Sequence, residues 1–252
     1  MEKPSFVCDG MLFHANGSQY SSLDLDTLPI SEAPRHVLVL GMGRGGTTAC
    51  AQILSALGFV CDTEGNPVLE SKRLRALKIR GRKQEFLDEV ARWDSGPDRW
   101  FWKEPKLHSG DFRHAVLSAP ASVGFLVVFR DVFNVALRNH YVMDIEFFPS
   151  LQKAARNNLM IAEFVALLKD RKIAIVSYEK LLLHTPRIVR GLARYLGIVD
   201  EPMIDAAIRT IAPEAEHYQE AVARGAALLK TKTADEAIQS DAMHSTVPQT
   251  IG

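Results

Sequence analysis

Eight residues, GMGRGGTT at 41–48, put four glycines, an arginine and two adjacent hydroxyls between an apolar run and a helical pattern. A glycine-rich turn of this kind aims successive backbone N–H groups, together with the positive end of the helix dipole, at an anion. The run satisfies two patterns at once. Gly41, Gly43 and Gly46 spell G-x-G-x-x-G, with Asp62 or Glu64 standing where a dinucleotide site needs its ribose-binding acid. Gly41, Gly46, Thr47 and Thr48 spell a triphosphate-binding loop, but Thr47 occupies the slot of the lysine that draws β- and γ-phosphates together. The cation is Arg44, inside the loop. That placement suits a transferable group less charged than a γ-phosphoryl and needing no magnesium.

Further along, chemistry-bearing residues fall at the ends of apolar runs. Arg130-Asp131 closes FLVVF at 125–129, Lys103 and His108 lie in WFWKEPKLH at 100–108, and Tyr178 opens YEKLL after an apolar stretch. Each has a plain structural reading: a solvated or paired arginine, a surface or capping histidine, a packed tyrosine, or a strand whose Asp131 serves a triphosphatase.

The order of these pieces from about 36 to 200 resembles the sulfotransferases that use 3′-phosphoadenosine 5′-phosphosulfate (PAPS) and release the bisphosphate PAP, with features of the glycan and bacterial branch. The resemblance implies that Gly43, Arg44, Gly45, Gly46, Thr47 and Thr48 cradle the 5′-phosphosulfate. It implies that Arg130 binds the 3′-phosphate. In the family a serine follows eight residues later and a proline two residues later; here Arg138 and Val132 stand there. Arg138 retains phosphate-binding chemistry, since a guanidinium forks onto phosphate oxygens. Lys103 with Pro105 is similar to the Lys-x-Pro element of the glycan branch, a little under thirty residues before Arg130, and Tyr178 is similar to a tyrosine near the adenine.

What the resemblance implies for activity is in-line transfer of a sulfuryl group to a hydroxyl or amine of a small molecule or carbohydrate. No metal, nucleic acid or membrane is expected to take part. Positioning and charge stabilisation do most of the work. Lys103 would hold the sulfuryl oxygens or protonate the leaving side. The base stays open between His108, which resembles the histidine of cytosolic members, and Glu64 or Glu70, which fall where glycan-modifying members carry a glutamate. A nucleotide-binding protein of the same fold that has lost transfer, and a dinucleotide oxidoreductase, are the alternatives.

These residues need a scaffold that brings strand ends together. Apolar runs at 36–40, 58–62, 99–103, 124–129 and 172–177 alternate with helical patterns, which predicts a single α/β domain with a central parallel sheet of about five strands flanked by helices. One helix is expected over 149–170 and one or two more over about 202–230. Another should open on Thr185 as N-cap with Pro186 next, bury Ile188, Val189, Leu192, Tyr195 and Leu196, and close at Gly197. Residues 1–35 are read as a flanking segment, with hairpin signals at Asp9-Gly10 and Asn16-Gly17, residues 36–230 as the domain, and 231–252 as a loose polar tail.

Composition sets the outer limits. Thirty basic against thirty acidic residues give no global attraction to nucleic acid or anionic membranes, so an anion site must be local. Cys8, Cys50 and Cys61 lie far apart, suggesting neither a disulfide framework nor a zinc site. With no apolar run near the roughly 20 residues of a membrane helix and no signal-peptide pattern, the expectation is a soluble cytoplasmic protein. The basic cluster between Lys72 and Lys83 reads either as a solvated helix face or as an electropositive rim.

Overall fold

The computed structural model of the 252-residue chain describes residues 11–15, 18–21, 33–62, 69–168 and 171–213. In chain order the elements are β1 (Met11–Ala15), β2 (Ser18–Ser21), β3 (His36–Gly41), α1 (Thr47–Ala56), α2 (Lys72–Ile79), α3 (Lys83–Asp94), β4 (Phe101–Lys103) and α4 (Arg113–Leu117). Then follow β5 (Val123–Phe129), α5 (Val132–Met143), α6 (Phe147–Leu167), β6 (Ile173–Ser177), α7 (Tyr178–Leu183) and α8 (Thr185–Tyr195), with a last helical run over 201–213.

Among the described residues the strands form one sheet in the order β2-β1-β6-β5-β3-β4. The four strands from β6 to β4 are parallel, and β1 adds antiparallel to β6. Strand alternation explains the burial. On β3, Val37 and Val39 face the cluster built with α1, α7 and α8, while Leu38 and Leu40 face the cluster that holds the three tryptophans and Phe164 of α6. On β5, Leu126 and Val128 join the first cluster and Phe125 and Val127 the second. Each such buried side chain is worth roughly 1.5–3 kcal/mol, which fixes the register because a one-residue slip would exchange the faces.

The chain runs from β3 to β4 on one side and then crosses to β5 on the other, so the C-terminal end of β3 is the switch point of the sheet. Clefts in open α/β sheets form there. Since the four strands are parallel, Gly41, Lys103, Phe129 and Ser177 all end on the same edge.

Three sequence expectations change. The expected strand at 58–62 is an isolated bridge between Val60 and Trp100: Gly58 turns left-handed at φ 83°, Phe59 is buried, but Val60 is 48% exposed, leaving no apolar run to extend a ladder. The parallel part therefore has four strands rather than five. The N-terminal hairpin, with strands on either side of Asn16-Gly17 and Ala15 paired to Ser18, joins the sheet. Thr185 is the first residue of α8 rather than its cap, its hydroxyl donating to the Leu181 carbonyl at 2.8 Å, whereas Gly197 does follow the helix with φ 67°. The expected helix at 149–170 is α6. Asp9-Gly10 and the segment after 213 lie outside the described residues. No described helix is long and apolar enough to cross a membrane.

Candidate functional site

The turn after β3 is shaped by contacts that exclude side chains. A Cβ on Gly41 would meet the Val128 carbonyl at 2.6 Å, and one on Gly45 the Met42 carbonyl at 2.6 Å. Gly46, at φ 87°, would drive a Cβ to 2.0 Å from the Tyr178 ring. Arg44 is itself left-handed at φ 66°, an uncommon conformation for arginine, and its exposed side chain makes no ion pair with a described residue. Gly46 precedes α1 without a side-chain cap, and the first turn carries no acid. The first N–H groups of α1 are left for an anion.

Arg130, just past β5, closes one side. Its Nη1 donates to the Arg44 carbonyl at 2.6 Å, its guanidinium lies 4.7 Å from the Tyr178 ring centroid, and Nε is buried without a hydrogen bond, 3.6 Å from Glu179 Oε1. Arg138 reaches the same space from two turns further along α5. On the other side stands Lys103, 2% exposed, donating to Thr48 Oγ1 at 2.9 Å and paired with Glu70 Oε1 at 3.3 Å. Burial lowers the ammonium pKa of Lys103, and the negative charge of Glu70 works against that drop. Glu70 follows Leu69, held at φ 54°, and its second oxygen lies 3.6 Å from Arg75.

Gly43, Arg44, Gly46, Thr47, Thr48, Glu70, Lys103, Arg130, Arg138 and Tyr178 thus line one cavity of about 490 Å³. Four cations face it with one carboxylate, a local excess within a chain of balanced charge. Such an excess of positive charge favours an anionic occupant.

Comparisons with known proteins add little to this geometry. No family profile and no curated protein matches the chain. Among solved structures it is similar to sulfotransferase STF9 from Mycobacterium avium, at 12% identity and a TM-score of 0.46 over 75% of this chain and 70% of that one. It is also similar to sulfotransferase STF1 from Mycobacterium tuberculosis, at 13% identity and a TM-score of 0.43 over 75% and 74%.

The remaining expected residues lie elsewhere. Gly45 packs under the loop, its N–H donating to the Met42 carbonyl at 2.9 Å. His108 is buried at 4% exposure, does not line the cavity, and has its pKa pushed by burial down to about 4. Glu64 lies outside the described residues. Asp62 does not line the cavity, and Asp131 caps α5 by accepting from the Asn134 N–H at 2.9 Å. The basic cluster is largely paired: Arg73 with Glu89, Arg75 with Glu70, Lys78 with Glu104 and Arg82 with Glu85. Residues missed from sequence are Ala49 and Gln52 in the lining, and Glu179 behind Arg130, while Pro105 of the Lys-x-Pro element lines the cavity as well. Glu179 was signalled by its place beside Tyr178, whereas nothing in the sequence marks Gln52.

Proposed function

We propose that this protein is a PAPS-dependent sulfotransferase that moves a sulfuryl group to a hydroxyl or amine of a small-molecule or carbohydrate acceptor, without a metal. The observation that carries the reading is that Arg44 and Arg130, each following a different parallel strand, line one cavity and touch through the Arg130–Arg44 carbonyl bond. The uncapped start of α1 and the Arg130 guanidinium at the cavity wall fit two anionic groups of one ligand.

In this reading the loop N–H groups, Thr47, Thr48 and Arg44 hold the 5′-phosphosulfate, Arg130 and Arg138 hold the 3′-phosphate, and Tyr178 backs both. The acceptor oxygen forms a bond to sulfur as the bond from sulfur to the bridging phosphate oxygen breaks, and PAP leaves with the electron pair. Arg44 and Lys103 stabilise charge on the leaving phosphate and the equatorial sulfuryl oxygens. Glu70 takes the acceptor proton. It lines the cavity and sits beside Lys103, whereas buried His108 does not reach it.

A thermal-shift and calorimetric panel of PAP, PAPS, ATP with magnesium, NAD and NADP tests the donor, followed by transfer of labelled sulfate across varied acceptors. Stabilisation by PAP above the rest, with turnover, is expected. PAP binding with no turnover on any acceptor would make the chain a nucleotide-binding protein of this architecture. Preference for NAD(P) would replace the reading altogether.

A further inference from the structure

A second cavity, of about 380 Å³, adjoins the first, sharing Gly43 and Arg44 of the loop with it. Its volume falls within the range of small-molecule sites, about 300–1,000 Å³. In-line transfer requires acceptor and leaving group on opposite sides of the moving group, so a residue lining both cavities stands where that group must pass. The second cavity is chemically unlike the first. Val135, Met143 and Ile145 give it an apolar wall, and Lys106 and Lys153 join Arg44 as its charges.

None of the described residues lining it is acidic, so Glu70 meets the acceptor only where the attacking oxygen passes Arg44 into the first cavity; Asp144 and Glu146 lie on the same α5–α6 connection, outside the lining. That connection is held by short local bonds. The Ile145 N–H donates to the Asn139 carbonyl at 3.2 Å, the Asn139 amide donates to Ser150 Oγ at 2.9 Å, and Asp144 turns left-handed at φ 52°. The apolar wall is therefore preformed, yet Met143 is 48% and Ile145 38% exposed. Apolar side chains held open to solvent at a cavity mouth favour an apolar occupant.

Building on the sulfotransferase reading, we infer that this second cavity takes the acceptor, and that the acceptor is an anionic amphiphile: a hydroxyl- or amine-bearing molecule with an apolar body and a carboxylate, phosphate or sulfate paired by Lys106 and Lys153. A neutral polyhydroxylated sugar lacks both features. The charge preference belongs to the cavity itself and is readable with or without bound nucleotide.

The test uses three phenols of similar size: 3-(4-hydroxyphenyl)propionate, its neutral amide, and tyramine. Each is titrated into the full chain by ligand-observed NMR, alone and with saturating PAP. The carboxylate is expected to bind at least about 10-fold tighter than the amine, with the amide between them. Lys153→Glu, an exposed change on α6, is expected to remove or reverse that order with an unchanged melting temperature, and Lys106→Glu to do the same. Equal affinities, no binding of any phenol, or a preference that survives both substitutions overturns the inference. A chain that ranks the phenols by charge but fails to bind PAP loses the donor reading and keeps this ligand class, so the two failures are separable.

Discussion

Strand β3 carries different chemistry at its two ends. At its start, His36 is fully buried and stacked on Trp100 with ring centroids 4.5 Å apart, Nδ1 accepts from the Trp100 N–H at 3.4 Å, and Nε2 lies 3.1 Å from Asp94. Arg35 and Ser122 tie the surrounding turns together through Asp94 and Gly96. At its finish, Gly41 leads into a loop whose Arg44 is exposed and whose helix start is uncapped. The closed end pairs His36 with Asp94 inside the fold and leaves the buried Trp100 indole N–H without a hydrogen-bond partner among the described residues. The open end turns Arg44, Lys103, Arg130 and Arg138 toward a cavity that carries one carboxylate, which is the feature the proposed ligand would use.

If that contrast is right, changes at the open end should cost function and spare the fold, while changes at the closed end should do the reverse. The largest effect is expected from Arg44→Ala, which should lower kcat/KM for sulfuryl transfer by about 10²–10³, as loss of a transition-state donor does. Its melting temperature should stay within a degree of the parent, since the side chain is exposed. A loss of only a few-fold would remove Arg44 from the reaction.

At the closed end the expected effect is on stability. Burial is the main cause that brings the His36 pKa down from 6.5 to about 4, with Asp94 opposing it and Arg35 adding to it. His36 is thus neutral in the fold, and the stability tied to its neutrality is complete above pH 6.5 and lost as pH falls toward 4. One such site amounts to about 3 kcal/mol. Buried His108 behaves alike. Thermal melts should therefore drop between pH 6.5 and 4.5, and His36→Gln should flatten part of the drop while leaving nucleotide affinity at pH 7 unchanged. An identical pH profile in the variant would place the proton elsewhere.

Arg130→Ala comes next, with PAP affinity expected to fall by about 10- to 100-fold, the worth of charged hydrogen bonds at about 1.5–3 kcal/mol. Calorimetry reads it directly, and an unchanged affinity would detach the second anion pocket from the ligand. The smallest effect belongs to Asp131→Ala, which removes the cap of α5 at a cost of about 1 kcal/mol of stability. If Asp131 held a metal instead, its loss would abolish activity with little change in the melt.

The strand-end residues were legible because each follows a continuous apolar run. Once HVLVL, FLVVF and IAIVS are read as parallel strands, Arg44, Arg130 and Tyr178 must emerge on one edge, and the short FWK strand adds Lys103. Which of Glu70 and His108 reaches the cavity was not legible, because both lie on connections whose path depends on packing: Leu107 is buried beside His108, while a left-handed Leu69 precedes Glu70, which pairs with Lys103. Val60 misled for a similar reason, since its backbone makes one bridge while its side chain stays in solvent. The pairing of the hairpin with β6 is a long-range contact that local pattern does not encode.

The central claim is that two anion pockets grip one adenosine bisphosphate, and the calorimetric affinity of PAP against AMP tests it most directly. PAP should bind at least about 10-fold tighter than AMP, with the gap closing in Arg130→Ala. Equal affinities for PAP and AMP in the unaltered chain would contradict it.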